Sequence, residues 1–187
     1  TSILGKVNMF RTIVADPPWY QRGAGKIKRG ADRHYSIMKE ADILEIMAGW
    51  LDGKVCDDAH LYMWTVSNHL PEALRIGEKL GFRYITNVVW MKSRVGLGRY
   101  FRGQHELCLF FTKGRGFGVR TQSNSITSVI GGGPIAPTVH SRKPDAFFEL
   151  VEKRSQGPFL ELFARTIRPG WGQVGNQVGI LSQDIKG

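Results

Sequence analysis

The sequence predicts an α/β fold, with a doubly wound, mostly parallel sheet and helices on both of its faces. Three observations carry that expectation. Residues 11–15 (RTIVA) form a short β-branched run with no alternation, as a strand buried on both faces requires. Strand-like runs then alternate with stretches of helical periodicity, the pattern of strand–helix–strand crossovers. The chain has 187 residues and one composition regime throughout, which fits a single domain over residues 1–187 with its own core.

The elements follow in order. After the first strand, residues 20–34 are rich in Gly, Lys and Arg and carry no apolar periodicity, so they read as a long basic loop. Residues 40–51 place Ile43, Leu44, Ile46, Met47 and Leu51 at helical spacing. Residues 60–66 read as a strand, and residues 71–80 as a helix stopped by Gly81. A strand is expected over 82–91, a second Gly-rich basic loop over 92–103, and another strand over 105–112. Residues 113–139 are irregular, with a short strand near 126–130. A helix follows over 144–154, then a strong strand over 159–164 (FLELFA), and a last one over 171–178.

Charge restricts the partners. Lys plus Arg total 26 against 16 for Asp plus Glu, a net charge of +10 and a pI near 9.9. Such a surplus concentrates polyanions around the molecule and favours nucleic acid or an anionic surface. No apolar run reaches 18 residues, so no membrane span is expected and the cytoplasm is the default location. The two cysteines, Cys56 and Cys108, form no CxxC, which argues against a metal site or a disulfide framework.

Chemistry is expected at Asp16-Pro17-Pro18-Trp19. It begins where the first strand ends, and in open α/β sheets ligands sit outside the carboxyl ends of strands. Two consecutive prolines fix φ and donate no N–H, which predicts an extended segment with free carbonyls beside the Asp16 carboxylate. An exocyclic amine such as adenine N6 needs such acceptors, because its lone pair is delocalised and positive charge develops as it is alkylated. Trp19 or a neighbouring aromatic is expected to stack on an extruded base. Two glycine-rich stretches are decoys. Residues 114–118 (GRGFG) are followed by a polar, aperiodic segment rather than a helix, and residues 131–134 (GGGP) have no following Lys-Ser/Thr.

Together with His34-Tyr35-Ser36-Ile37-Met38, His140-Ser141-Arg142-Lys143-Pro144, Leu160-Glu161-Leu162-Phe163-Ala164-Arg165, Gly170-Trp171 and Gly175-Asn176-Gln177, this motif resembles the MT-A70 family. Those proteins are adenine-N6 methyltransferases with a Rossmann-like domain that use S-adenosylmethionine. The resemblance spans nearly the whole chain in the family's order. It implies that Asp16 contacts the cofactor's amino group, the target amine, or both in turn. It implies that Lys143 pairs with the cofactor carboxylate, for which a point charge is suited. Glu161 and Arg165, on one side of an extended strand, resemble ribose contacts. Asn176 and Gln177 resemble amide partners of ribose and adenine. Tyr35, Trp64 and Trp90 match aromatic positions around the substrate pocket, while strand core explains the two tryptophans equally well.

The chain departs from the family pattern twice. Ile167-Arg168 stands where relatives place His-Asn, so Arg168 substitutes or that cofactor contact is absent. Fifteen residues precede Asp16, where relatives carry residues that approach the cofactor's adenine. The implied substrate is nucleic acid, with DNA favoured over RNA because a compact chain of this kind resembles bacterial and phage members. Arg29, Arg99 and Arg102 are expected to hold phosphates, and Tyr100 or Phe101 to stack on a base. Two rival readings stand beside this: a non-catalytic nucleic-acid-binding homologue, and a methyltransferase of cytosine N4. The oligomeric state is not legible in the sequence, which leaves a homo-oligomer or a partner subunit open.

Overall fold

The structure, a computed structural model, describes residues 9–20, 38–96, 100–116, 125–131, 143–175 and 179–181. Among the described residues there are eight strands: β1 (Phe10–Ala15), β2 (Val55–Thr65), β3 (Arg83–Met91), β4 (His105–Lys113), β5 (Val129–Ile130), β6 (Phe159–Leu162), β7 (Trp171–Gly175) and β8 (Gly179–Leu181). They form one sheet in the order β5-β3-β4-β2-β1-β6-β7-β8. The described helices are α1 (Glu40–Leu51), α2 (Leu70–Lys79) and α3 (Asp145–Arg154).

β1 lies centrally, parallel to β2 on one side and β6 on the other. Ile13, Val14 and Ala15 are buried, as the RTIVA run requires. β6 pairs parallel with β7, and β3 with β5. β4 instead runs antiparallel to both β2 and β3. The cause is visible in the sequence: residues 92–104 contain no helical periodicity, and without a crossover helix the chain must return antiparallel.

Alternation along each strand separates two apolar layers. Leu61 and Met63 of β2 and Leu109 and Phe111 of β4 face α1 and α2, where Ile43, Met47, Ala73 and Ile76 complete a buried cluster. Tyr62, Trp64, Val88 and Cys108 point the other way, onto Phe147, Leu150 and Val151 of α3. Helices therefore cover both faces, and each fully buried apolar side chain contributes about 1.5–3 kcal/mol before entropy is counted. Gly81, at φ +83, occupies the left-handed position just beyond α2.

Element ends differ from expectation where local geometry intervenes. β2 begins five residues early, because Cys56, Asp57 and Asp58 lie at the sheet's half-exposed margin and show no apolar pattern. β6 stops at Leu162, two residues early, because Phe163 turns to φ +61. The last expected strand ends at Gly175 as β7, and an antiparallel β8 follows beyond the expected span. No described helix is long and apolar enough to cross a membrane.

Candidate active site

The carboxyl ends of β1 and β6 and the start of β4 converge on Asp16. Of the four motif residues only Asp16 keeps appreciable exposure; Pro17, Pro18 and Trp19 are buried. The segment is not the extended row of free acceptors that two prolines suggest. Trp19 N, the first donor after them, closes a tight turn onto Pro17 O at 2.9 Å. Met38 N donates to Pro18 O at 3.0 Å. Each of these carbonyls retains one lone pair, and the carboxylate is the acceptor that faces outward.

Trp19 is not placed to stack on a base. Its indole N–H donates to Trp64 O at 2.8 Å, and its ring stacks on His69 with centroids 5.5 Å apart and planes 13° apart. His69 in turn bonds Tyr20 O. Trp19 thus fastens the turn that presents Asp16 to β2 and to the 3-10 turn over Ser67–His69. The aromatic part of the motif is a structural anchor.

Lys143 comes from the residue before the α3 cap and reaches Asp16 Oδ2 at 2.9 Å and Glu106 Oε2 at 3.2 Å. Its ammonium also lies 5.0 Å from the Trp64 ring centroid, within cation–π range. Burial alone would push this ammonium's pKa down. Asp16 and Glu106 outweigh burial and hold it above the ordinary value. Glu106 sits between two cations, Lys143 and Lys92. Its burial favours the neutral acid, yet Lys143 and then Lys92 hold it below the usual carboxylate range.

Glu106 is not among the expected site residues: His105-Glu106 is suggestive as a pair, but a basic loop leading into a strand explains it as well. A single acid heading the apolar run LCLFF was the available signal. Lys92, counted with the basic loop, is directed inward to Glu106 instead.

Trp64 and Trp90 are core residues, the second of the two readings their strand positions allow. They meet edge to face at 6.2 Å within the α3-side core, and Trp64 also forms the wall beneath Lys143. Their indole nitrogens are buried with no hydrogen-bond partner among the described residues.

A second group lies beside Asp16 at the ends of β6 and β7. Gln173 donates to Glu161 Oε2 at 2.9 Å and to Thr166 O, while its own oxygen accepts from Arg168 N at 2.6 Å. This amide, absent from the expected set, fixes the loop after β6 against β7. Burial raises the Glu161 pKa to about 7 despite the Gln173 bond and the Arg168 charge. The Arg168 guanidinium covers the Phe148 ring at 3.5 Å and approaches Asp145 Oδ1 at 3.5 Å. Arg165 does not share a strand face with Glu161, because the φ of Phe163 ends the alternation before it. At the β7 end, a Cβ on Gly175 would lie 2.7 Å from Ala164 N and closer still to its oxygen, so only glycine permits this approach.

Tyr100 and Phe101 are 95% and 89% exposed, and Arg102 is exposed beside them. Arg29, Tyr35, Arg99, Asn176 and Gln177 lie outside the described residues. Among the described residues no cluster could hold a metal ion.

A carboxylate at the carboxyl end of a central strand, beside a polar group at the ends of the next two parallel strands, defines the class: a Rossmann-like methyltransferase. The MT-A70 family model matches residues 10–177, and the chain belongs to that family. It is similar to the type II methyltransferase M.MunI of a Mycoplasma species, with 28% identity over 90% of this chain and 78% of that protein. It is also similar to the N6-methyladenosine RNA methyltransferase MTA1 of Cryphonectria parasitica, with 26% identity over 91% of this chain and 52% of that protein. The chain thus spans about half the length of the fungal relative.

Proposed function

We propose that this chain, acting as one domain, transfers a methyl group from S-adenosylmethionine to the N6 amine of adenine in nucleic acid, and that DNA is its substrate. The observation that carries the reading is the Asp16 carboxylate, held by Lys143 at the end of β1 on a rigid, buried turn.

The donor set suits the cofactor. Lys143 is a buried cation able to take a carboxylate, and Asp16 can accept from an ammonium. Glu161, braced by Gln173, brings a carboxyl group to the end of β6. Asn176 and Gln177 follow directly on Gly175 in the chain. When bound, S-adenosylmethionine supplies an electrophilic methyl group. Asp16 accepts an N–H of the target amine and stabilises the charge that develops on nitrogen. Lys143 and Glu106 hold Asp16 in place, and Trp64 and Trp90 close the site against water.

DNA is favoured because the chain aligns with most of a type II methyltransferase and with only about half of the RNA enzyme. The similarity to that RNA enzyme makes RNA the second reading. Incubation with labelled cofactor and separate DNA and RNA, followed by nucleoside analysis, decides between them. N6-methyladenine in DNA is expected. Label in RNA alone moves the substrate, label on cytosine moves the chemistry, and no transfer to either with cofactor bound leaves a binding homologue.

A further inference from the structure

A cavity of about 410 Å³ opens on the α3 face of the sheet, at the opposite end of the strands from Asp16. Its floor is apolar: Val88, Phe110, Ile126 and Leu150. Thr112, six residues along β4 from Glu106, lines its far wall, about 20 Å away at the rise of a strand. The volume lies in the range of small-molecule sites, roughly 300–1,000 Å³.

The charge of this cavity is one-sided. Arg83, Arg115 and Arg154 line it, and among the described residues no Asp or Glu does. Among the described residues none of the three arginines is in an ion pair. Asp58, on the strand margin beside Arg115, is committed to that residue's backbone N–H at 2.6 Å. Three guanidinium groups with no counterion among the described residues suit an anion with several acceptor oxygens, and the guanidinium fork matches phosphate.

The remaining wall is preorganised. Tyr62 O–H donates to Ser155 Oγ at 2.7 Å, and the Ser155 hydroxyl donates to His60 Nδ1 at 2.7 Å. That order follows because His60 Nε2 must donate to Gly116 O at 2.8 Å. Burial lowers the His60 pKa and favours the neutral ring that this order requires, and Phe110 packs edge-on against it at 4.9 Å. Thr112 Oγ1 is different: it is buried with no partner among the described residues. Thr86, Thr127 and Ser128 add further polar groups on one side.

We infer that this cavity is a second binding site, for a nucleoside phosphate whose phosphate meets the arginines and whose ring and sugar rest on the Phe110 floor. The same chemistry reaches it as a free nucleotide or as one unit of a nucleic-acid strand. The inference rests on the cavity alone and stands whichever substrate the methyl-transfer site takes.

Adenosine 5′-monophosphate, adenosine, inorganic phosphate and a short single-stranded oligonucleotide are titrated separately into the full chain. The wild type is compared with Arg83→Gln/Arg154→Gln, with the melting temperature checked first. A free-nucleotide site is expected to show monophosphate binding weakened about tenfold or more in the double variant, with S-adenosylmethionine affinity unchanged. A strand-binding site is expected to show that loss for the oligonucleotide, with the monophosphate bound weakly by both. If the double variant does not fold, Arg115→Gln in the exposed turn carries the same comparison. Equal affinities of wild type and folded variant for both phosphate probes overturn the inference, as does inorganic phosphate binding as tightly as the monophosphate.

Discussion

Lys143 and Asp16 lie 127 residues apart in sequence and 2.9 Å apart in space. The contact joins the end of the first strand to the residue before the cap of the last described helix, and it makes the acceptor carboxylate part of a network with Glu106. Replacing Asp16 by Ala is expected to leave the melting temperature within a few degrees of wild type, since the side chain stands at a strand end. Methyl transfer should fall by about 100- to 1,000-fold, the usual cost of losing one group that stabilises developing charge. Turnover within a few-fold of wild type in a folded variant would remove Asp16 from the chemistry.

Lys143→Ala has a different signature, because it leaves two carboxylates without their shared cation. A destabilisation of about 3 kcal/mol is expected near neutral pH, the lower end for breaking a buried pair. Its pH dependence follows from Glu106, whose folded pKa is depressed. A depressed acid contributes stability that is present above its unfolded value and lost as pH falls through the folded one. The gap between wild type and variant should therefore be widest at neutral pH and narrow below about pH 4.5. Urea unfolding at pH 3.5 and pH 7 measures both gaps, and a gap that grows on acidification contradicts the assignment.

Glu161 shows the opposite sign. Its folded pKa is raised to about 7 by burial, so its contribution is present below the unfolded value and lost as pH rises through 7. Relative to Glu161→Gln, wild type should lose on the order of 2–3 kcal/mol of stability between pH 4.5 and pH 8. If Glu161 accepts hydrogen bonds from the cofactor ribose, the ligand favours the charged form, and cofactor affinity should rise with pH across 7. Calorimetry on Glu161→Gln should show that slope abolished. A cofactor affinity that is flat with pH in wild type would take Glu161 out of the pocket.

Gly175 tests the close approach of β7 to the loop after β6. A Cβ there meets the backbone of Ala164, which cannot rotate away as a side chain would. Gly175→Ala is expected to cost about 1–3 kcal/mol of stability. Because residues 176 and 177 follow directly, cofactor affinity should also weaken. Wild-type thermal stability in this variant would mean that the two backbones are not in contact.

Sequence periodicity located the elements because burial dictates it: α1 has the predicted bounds, and α2 and β3 fall within one residue of theirs. The antiparallel insertion of β4 was implied by the missing helix before it, yet alternating strands and helices suggested a more uniformly parallel sheet. At the site, Asp16 was singled out by its place at the carboxyl end of a strand, whereas Lys143 and Glu161 were singled out only by the family resemblance. The function of Trp19 was not legible, since a buried indole and a stacking indole carry the same letter. Gln173 and Glu106 were missed for a related reason. Each occupies an ordinary strand position, and only the pairing of strands distant in sequence gives it a partner.

The most exposed aromatic residues among those described supply the last prediction. Tyr100 and Phe101 are 95% and 89% exposed, next to exposed Arg102, on the connection between β3 and β4. That connection leaves the carboxyl end of β3 and re-enters at Glu106, so it borders the cleft at Asp16. Two large aromatic rings held in water make little contribution to folding, and Tyr100→Ala/Phe101→Ala is expected to change stability by less than about 0.5 kcal/mol. Base–aromatic stacking is worth about 1–3 kcal/mol per base, so nucleic-acid affinity should fall by roughly tenfold or more. The salt dependence should stay unchanged, because no phosphate contact is lost. Arg102→Gln should do the reverse, reducing the slope of log affinity against log salt by about 0.7–0.9 with a smaller loss at high salt. Fluorescence anisotropy across a salt series separates the two effects. Wild-type affinity in the aromatic variant would place the base-contacting surface elsewhere on this basic protein.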